Sequence, residues 1–299
     1  MRCNLLWLCL LVAPCLATGQ SCTAYAVIDV FDSKSHMGID GLEANDFEVK
    51  MGGSSLPIVS MSQSFNNRVL VMVQGAGSLK GPLPAEITRG IAGFVRLAPA
   101  GRPVAFAAFA NRTAFTKGFS ANVQERSAWI DDVIAQLNSI GNDPAVFDAL
   151  HEGIAFFGPD QPGDTIILIS TGHDVSSKRN EMDLEKEFTQ HHTRLLLTAM
   201  TTGVIEGFNA NHQNKYEEVH ALHRLASSTG GSYTRLVSPN FMDFAWAGYL
   251  VGVGLPPTLD KARDWKLQLR GAAAKAHKDA LIYQPYSVAP CSRPIAETK

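Results

Sequence analysis

Through the middle of the chain, short uninterrupted apolar runs alternate with stretches of helical period, and this alternation narrows the fold more than any other feature. Arg68–Gln74 (RVLVMVQ), Val104–Phe109 (VAFAAF), Asp164–Ser170 (DTIILIS) and Leu195–Met200 are strand-length runs with little polar interruption. After Pro82 or Pro84, Ile87, Ile91, Phe94 and Val95 share one helical face. Within Val123–Leu137 the same is true of Trp129, Ile130, Val133, Ile134 and Leu137. Further helices are expected over Ala145–Phe157, near Asp183–His191 and over Tyr216–Ser228. Gly230-Gly231 stops the last of these before a strand at Ser232–Leu236, and Phe115–Phe119 is placed to pair beside the second strand. Strands apolar on both faces need cover on both sides. The pattern therefore predicts a doubly wound, mostly parallel sheet with right-handed crossovers.

The flanks have a different period. Tyr25–Phe31 (YAVIDVF), Phe47–Lys50 and Ile58–Met61 alternate apolar and polar residues, with a turn at Gly38–Gly41. Tyr249–Val253, Trp265–Leu269 and Ala280–Tyr283 are strand-like at the other end. Neither flank has enough strands to bury its own face, so the two are expected to combine into one β-module with the α/β domain inserted between its halves. The expected division is a leader at 1–19, β-module halves at 20–65 and 243–292, the α/β domain at 66–242 and a tail at 293–299.

The leader reading rests on Arg2, the apolar run Leu5–Val12 and the small residues Ala17-Thr18-Gly19, which together resemble a secretory signal cleaved before Gln20. Cys15 offers a lipoprotein reading, opposed by Pro14 directly before it. The expected location is thus periplasmic or secreted. No later run reaches the roughly 20 apolar residues that a spanning helix requires. Removing the leader takes three of five cysteines and leaves Cys22 and Cys291. In an oxidising compartment these read as one disulfide tying the two ends together; two unrelated thiols are the alternative. With 25 basic residues left against 28 acidic, the chain is near neutral. It lacks the basic stripe of a nucleic-acid binder and the polybasic cluster of an anionic-lipid binder.

Five segments, in order, resemble the von Willebrand factor A-related proteins of acidobacteria. They are Asp32, Gly38, Gly41-Leu42 and Asp46–Val49 (a "D…G…gL…DFeV" pattern); the strand VLVMVQGAGSL; Ala145–Leu150 (AVFDAL); Ile166–Asp174 with Ser176 and Ser177 (IILISTGHDVSS); and Leu222–Gly231 (LHRLASSTGG). The resemblance covers nearly the whole chain after the leader. It implies a von Willebrand factor A-like, Rossmann-type α/β fold and a metal-ion-dependent adhesion site built from a D-x-S-x-S loop, a threonine and a second aspartate. At those positions this chain has Gln74, Ala76, Ser78, Pro144 and Thr171. Both carboxylates are gone, and hard divalent cations depend on such oxygen ligands. The expectation is a degenerate site holding no metal, and no cofactor elsewhere.

Other signals resolve toward structural roles. Gly75–Gly81 lies between a strand and a helix as a phosphate loop would, but it fits neither G-x-G-x-x-G nor G-x-x-x-x-G-K-[ST] spacing. His191 with His192, and His220 with His223, lack metal-ligand spacing. Ser78, His173 and Asp174 do not line up as a triad, because adjacent acid and base cannot act in series. Asn111-Arg112-Thr113 is a glycosylation sequon that matters only in a eukaryotic source. The function expected is therefore a non-enzymatic protein-interaction or adhesion module with an unidentified protein partner and an open oligomeric state. Its candidate contacts, at the carboxyl ends of the strands, are Ser78, Leu79, His173, Asp174 and Val175. The alternative is a structural component of an envelope assembly that contacts partners through its β-module. An exposed aromatic cluster on the upper face favours the first reading, and an unpaired strand edge on the β-module favours the second.

Overall fold

The computed structural model describes residues 22–35, 37–63, 66–75, 83–199, 213–234 and 245–290. The elements are β1 (Cys22–Asp32), β2 (Phe47–Met51), β3 (Ser54–Leu56), β4 (Ile58–Ser62), β5 (Val69–Gln74), α1 (Leu83–Arg96), β6 (Val104–Phe109), β7 (Thr113–Phe115), α2 (Val123–Ala135), α3 (Val146–Phe156) and β8 (Thr165–Ser170). They continue with α4 (Glu181–Gln190), β9 (Arg194–Ala199), α5 (Gln213–Ser228), β10 (Tyr233–Thr234), β11 (Tyr249–Leu255), β12 (Arg263–Leu269), α6 (Gly271–Ala276), β13 (Ala280–Tyr283) and β14 (Ser287–Val288). The leader, Ala76, Ser78, Leu79, Met200, Arg235, Leu236 and Cys291 lie outside the described residues.

The α/β part is a six-stranded sheet in the order β10-β9-β8-β5-β6-β7, parallel except for β7 at its edge. Its central strands β5, β6 and β8 are apolar between their end residues because each face carries its own core. From β5, Val69, Val71 and Val73 join Ile91 and Val95 of α1 and Ile130 and Val133 of α2. Leu70 and Met72 point the other way, into a core with Val146 and Leu150 of α3, Leu184 and Phe188 of α4 and Leu222 and Leu225 of α5. Period-two side-chain alternation in a strand covered on both sides leaves no polar face to reveal the strand's orientation. The doubly wound α/β architecture is as expected. Antiparallel β7 falls at Thr113–Phe115 rather than Phe115–Phe119, and Leu137 belongs to a separate short 3-10 turn after α2. After α5, Gly230 (φ +76°) reverses the chain, and a Cβ on Gly231 would lie 1.7 Å from the Leu195 carbonyl oxygen. The backbone of β9 is approached there too closely for any side chain.

The flanks form two antiparallel four-stranded sheets, β13-β1-β11-β4 and β14-β12-β2-β3. Each draws strands from both ends of the chain: β1 pairs with β11 from Cys22↔Leu255 to Ile28↔Tyr249, and β2 pairs with β12 from Phe47↔Leu269 to Met51↔Trp265. Ala24, Ile28 and Val30 of β1, Phe47 and Val49 of β2, Val251 and Val253 of β11 and Trp265 and Leu267 of β12 fill the space between them. The β-module is therefore a sandwich whose halves cannot close a core separately. Short β3 and β14 carry too little periodicity to be legible in sequence. The Gln284 side chain extends the second sheet by accepting from Leu267 N at 2.8 Å and donating to the Trp265 carbonyl at 3.0 Å.

Candidate functional site

The expected site lies at the carboxyl ends of the parallel strands, where an open α/β sheet leaves a crevice. Gln74 ends β5 with a buried side chain, and its amide oxygen is already engaged. It accepts from Ser170 Oγ at 2.7 Å, Thr171 N at 3.0 Å and Thr171 Oγ1 at 3.1 Å. Ser170 Oγ in turn accepts from Gly172 N at 3.0 Å. A neutral amide thus organises the start of the β8–α4 loop through hydrogen bonds. A cluster of carboxylates at this point would need a cation to offset mutual repulsion.

Pro144 is buried and has no side-chain donor. Its carbonyl accepts from Val175 N at 2.8 Å and Ser176 N at 3.3 Å, and Ser176 Oγ donates to the Asp143 carbonyl at 3.2 Å. Asp174 and Ser177 act on the next helix. Ala145, at the N-cap of α3, has no capping side chain. Asp174 Oδ1 accepts from Val146 N at 2.7 Å and from Ser177 Oγ at 2.6 Å, while Ser177 Oγ accepts from Phe147 N and Asp148 N, both at 3.1 Å. The α3 N-terminus is therefore capped from a different loop, with a carboxylate at the positive end of the helix dipole. Asp148 reciprocates, accepting from Lys178 N at 3.1 Å and Arg179 N at 3.0 Å.

The residue types present do not fit a hard dication. Of the expected ligand positions, those described offer one amide oxygen with three donors, one hydroxyl and a proline. Among the described residues no group of three His, Cys, Asp or Glu side chains could hold a metal ion. Of the candidate contacts, Val175 is exposed (53%) on the β8–α4 loop, His173 is half-buried, and Asp174 is committed to capping. Ser78 and Leu79 fall outside the described residues. The histidines lie apart: His191 Nδ1 meets Asp160 at 2.7 Å, and His220 and His223 are on the exposed face of α5.

Two features that motif reading passes over lie on or beside the sandwich. Asp29 of β1 and Arg194 at the start of β9 form an ion pair, each 2% exposed, that joins the sandwich to the parallel sheet. The available signal was a charge within one otherwise apolar run, YAVIDVF, and at the head of another, RLLLTA. The second feature is the edge strand β4 (IVSMS), which has no charged residue and borders a groove of about 350 Å³ with Leu42, Glu43 and Ala44. On the opposite edge Leu281, Tyr283 and, beyond it, Tyr286 are exposed, with Phe31 edge-on to Tyr283 at 5.9 Å. Among the described residues no helix is long and apolar enough to cross a membrane.

No family model matches the chain, and no curated relative matches it. Several solved structures are similar. BatB from Bacteroides thetaiotaomicron superposes with a TM-score of 0.45 at 14% identity, over 60% of this chain and 94% of that one. A von Willebrand factor type A protein from Catenulispora acidiphila gives 0.44 at 11% identity, over 90% of this chain and 74% of the other. Proximal thread matrix protein 1 from the mussel byssus, with a zinc-occupied MIDAS motif, gives 0.47 at 14% identity over 64% of this chain, which spans about half (48%) of that protein's length.

Proposed function

We propose that this chain is an exported, non-enzymatic protein-interaction module, a von Willebrand factor A-like α/β domain (66–242) inserted in a β-sandwich (20–65 with 243–292), and that it binds its partner without a bridging metal ion. The absence of carboxylates at Gln74 and Thr171, and the prior engagement of the Gln74 amide oxygen, support the loss of ion chemistry. Export is supported by the leader-like residues 1–19, and the pairing of Cys22 with Cys291 by a disulfide on Cys22.

The observation that carries the contact surface is the distribution of apolar exposure among the described residues. Val59, Leu281, Tyr283 and Tyr286 are exposed on the sandwich, and β4 is an edge without the charges or internal proline that usually guard one. An extended partner segment adding to β4 gains main-chain hydrogen bonds, with the groove taking alternate side chains. The β-module reading therefore ranks first here. Contact through the upper loops ranks second, supported by exposed Val175 and Met182.

The test is recovery of the partner from source-envelope extract by cross-linking, followed by binding of two variants. Val59→Lys places a charge on the β4 edge and is expected to weaken binding at least tenfold, while His173→Glu leaves it unchanged. The reverse pattern moves the contact to the upper loops. Rapid catalytic turnover of a small-molecule substrate at the upper face would overturn the non-enzymatic reading.

A further inference from the structure

We propose that the open edge of β13 is a self-association surface, through which two copies of this chain join their β13-β1-β11-β4 sheets across a two-fold axis. This edge lies opposite β4 in the sheet, so the inference stands or falls separately from the partner contact proposed there. Of the eight large apolar residues exposed among the described ones, four lie on β13 or next to it, which marks this edge above any other surface. They are Leu281 and Tyr283 on the strand, Tyr286 just beyond it, and Met37, whose carbonyl accepts from Asp32 N at 3.0 Å beside the strand's start.

The main chain sets the register. Ser33 N donates to the Asp279 carbonyl at 3.1 Å, in step with the pairing of β1 and β13 from Asp32↔Ala280 to Asp29↔Tyr283. Bonded and non-bonded pairs alternate along an antiparallel ladder. Leu281 and Tyr283 therefore turn their N–H and C=O toward β1, and Ile282 turns both outward. Among the described residues no backbone group takes either of them. A second β13 laid antiparallel, with the two-fold axis at Ile282, lets the two Ile282 residues exchange both hydrogen bonds.

The side chains suit that axis on both faces. On the outer face Leu281 comes opposite Tyr283 of the second copy, twice, and Phe31, edge-on to Tyr283 at 5.9 Å, widens the apolar strip. On the inner face Ile282, half-buried against the sandwich core, meets its own copy and makes the two cores continuous. A charge on this strand would lie close to its own copy across the axis and repel it. Natural edges carry charges for that reason, and β13 (ALIY) has none. An edge neutral and apolar at its dyad is self-complementary, as a two-fold isologous contact requires, and this singles out a second copy as the occupant.

The test is sedimentation velocity of the full chain from about 1 to 200 μM, a range that covers dimers of micromolar Kd. A reversible monomer–dimer equilibrium that stops at the dimer is expected. Leu281→Lys and Tyr283→Glu, both at exposed positions, are each expected to weaken the dimer at least tenfold, with circular dichroism confirming the fold. Mixed together, the two variants should recover a heterodimer, because the register places the new lysine opposite the new glutamate. Val59→Lys, on β4, should leave the dimer unchanged. Four outcomes overturn the proposal: a monomer at every concentration; a monomer that instead sediments with neutral phosphatidylcholine vesicles, which would make the patch a lipid contact; a dimer indifferent to Leu281→Lys and Tyr283→Glu; or a dimer lost in Val59→Lys. A wild type that stays monomeric yet loses its envelope partner in Val59→Lys would sink this inference and leave the β4 reading standing.

Discussion

Arg194, the first residue of β9, donates to the Asp29 carboxylate in β1, so a buried ion pair joins the parallel sheet to the sandwich. The two residues are 165 positions apart in sequence. Removing water from both charges is costly, and their mutual attraction offsets only part of that cost. Desolvation accordingly outweighs the pull of Arg194 and pushes the Asp29 carboxyl up to about 6.

This fixes a pH dependence with a definite sign. A carboxyl whose folded pKa lies above its unfolded value of 3.8 binds its proton more tightly when folded. Its contribution therefore favours folding below about pH 4, declines as pH rises to about 6 and is flat above that. The span is on the order of 3 kcal/mol. Asp164, also raised mainly by burial, acts in the same direction, so the readout is the difference between wild type and Asp29→Asn. Urea unfolding across pH 4–7 should show the wild type losing stability relative to the variant within that window. Parallel curves would contradict the assignment.

The remote cap on α3 predicts a stability cost from a residue of the β8–α4 loop. Asp174→Ala removes the acceptor for Val146 N and the anchor of Ser177, and should cost about 1–2 kcal/mol, as N-cap losses do. Asp174→Asn keeps an acceptor oxygen and should recover much of this. Amide exchange at Val146, Phe147 and Asp148 is the local check. Unchanged protection in the alanine variant would remove the capping role.

The donor set at the strand ends predicts that magnesium, manganese and calcium at millimolar levels leave Tm unchanged. Binding to the native state alone would stabilise it by about 2.7 kcal/mol at a hundredfold excess over Kd. An EDTA-reversible rise of several degrees, lost in Ser78→Ala, would restore an ion site.

A Cys22–Cys291 bridge would close nearly the whole chain after the leader. In the chain-entropy view a loop of that size contributes about 5–6 kcal/mol, so reduction should lower the urea midpoint markedly. Non-reducing peptide mapping identifies the bridge directly. Alkylation of both thiols in protein from an oxidising compartment would exclude it.

Much of the fold is legible locally. The runs at Val69–Gln74, Val104–Phe109 and Thr165–Ser170 determine buried strands because nothing polar interrupts them. The shortage of strands in each flank indicates that the two must combine. The candidate site was legible only as residue types: Gln74, Pro144 and Thr171 stand where the family resemblance implies ligands. Long-range geometry decided the rest. That Gln74 satisfies Ser170 and Thr171, that Asp174 caps α3, and that Asp29 meets Arg194 all depend on which loops and strands the topology brings within 3 Å or so. Periodicity reports the environment of a side chain averaged over one element. Hydrogen bonds and ion pairs are specific to a partner from another element, and only the packed tertiary structure selects that partner.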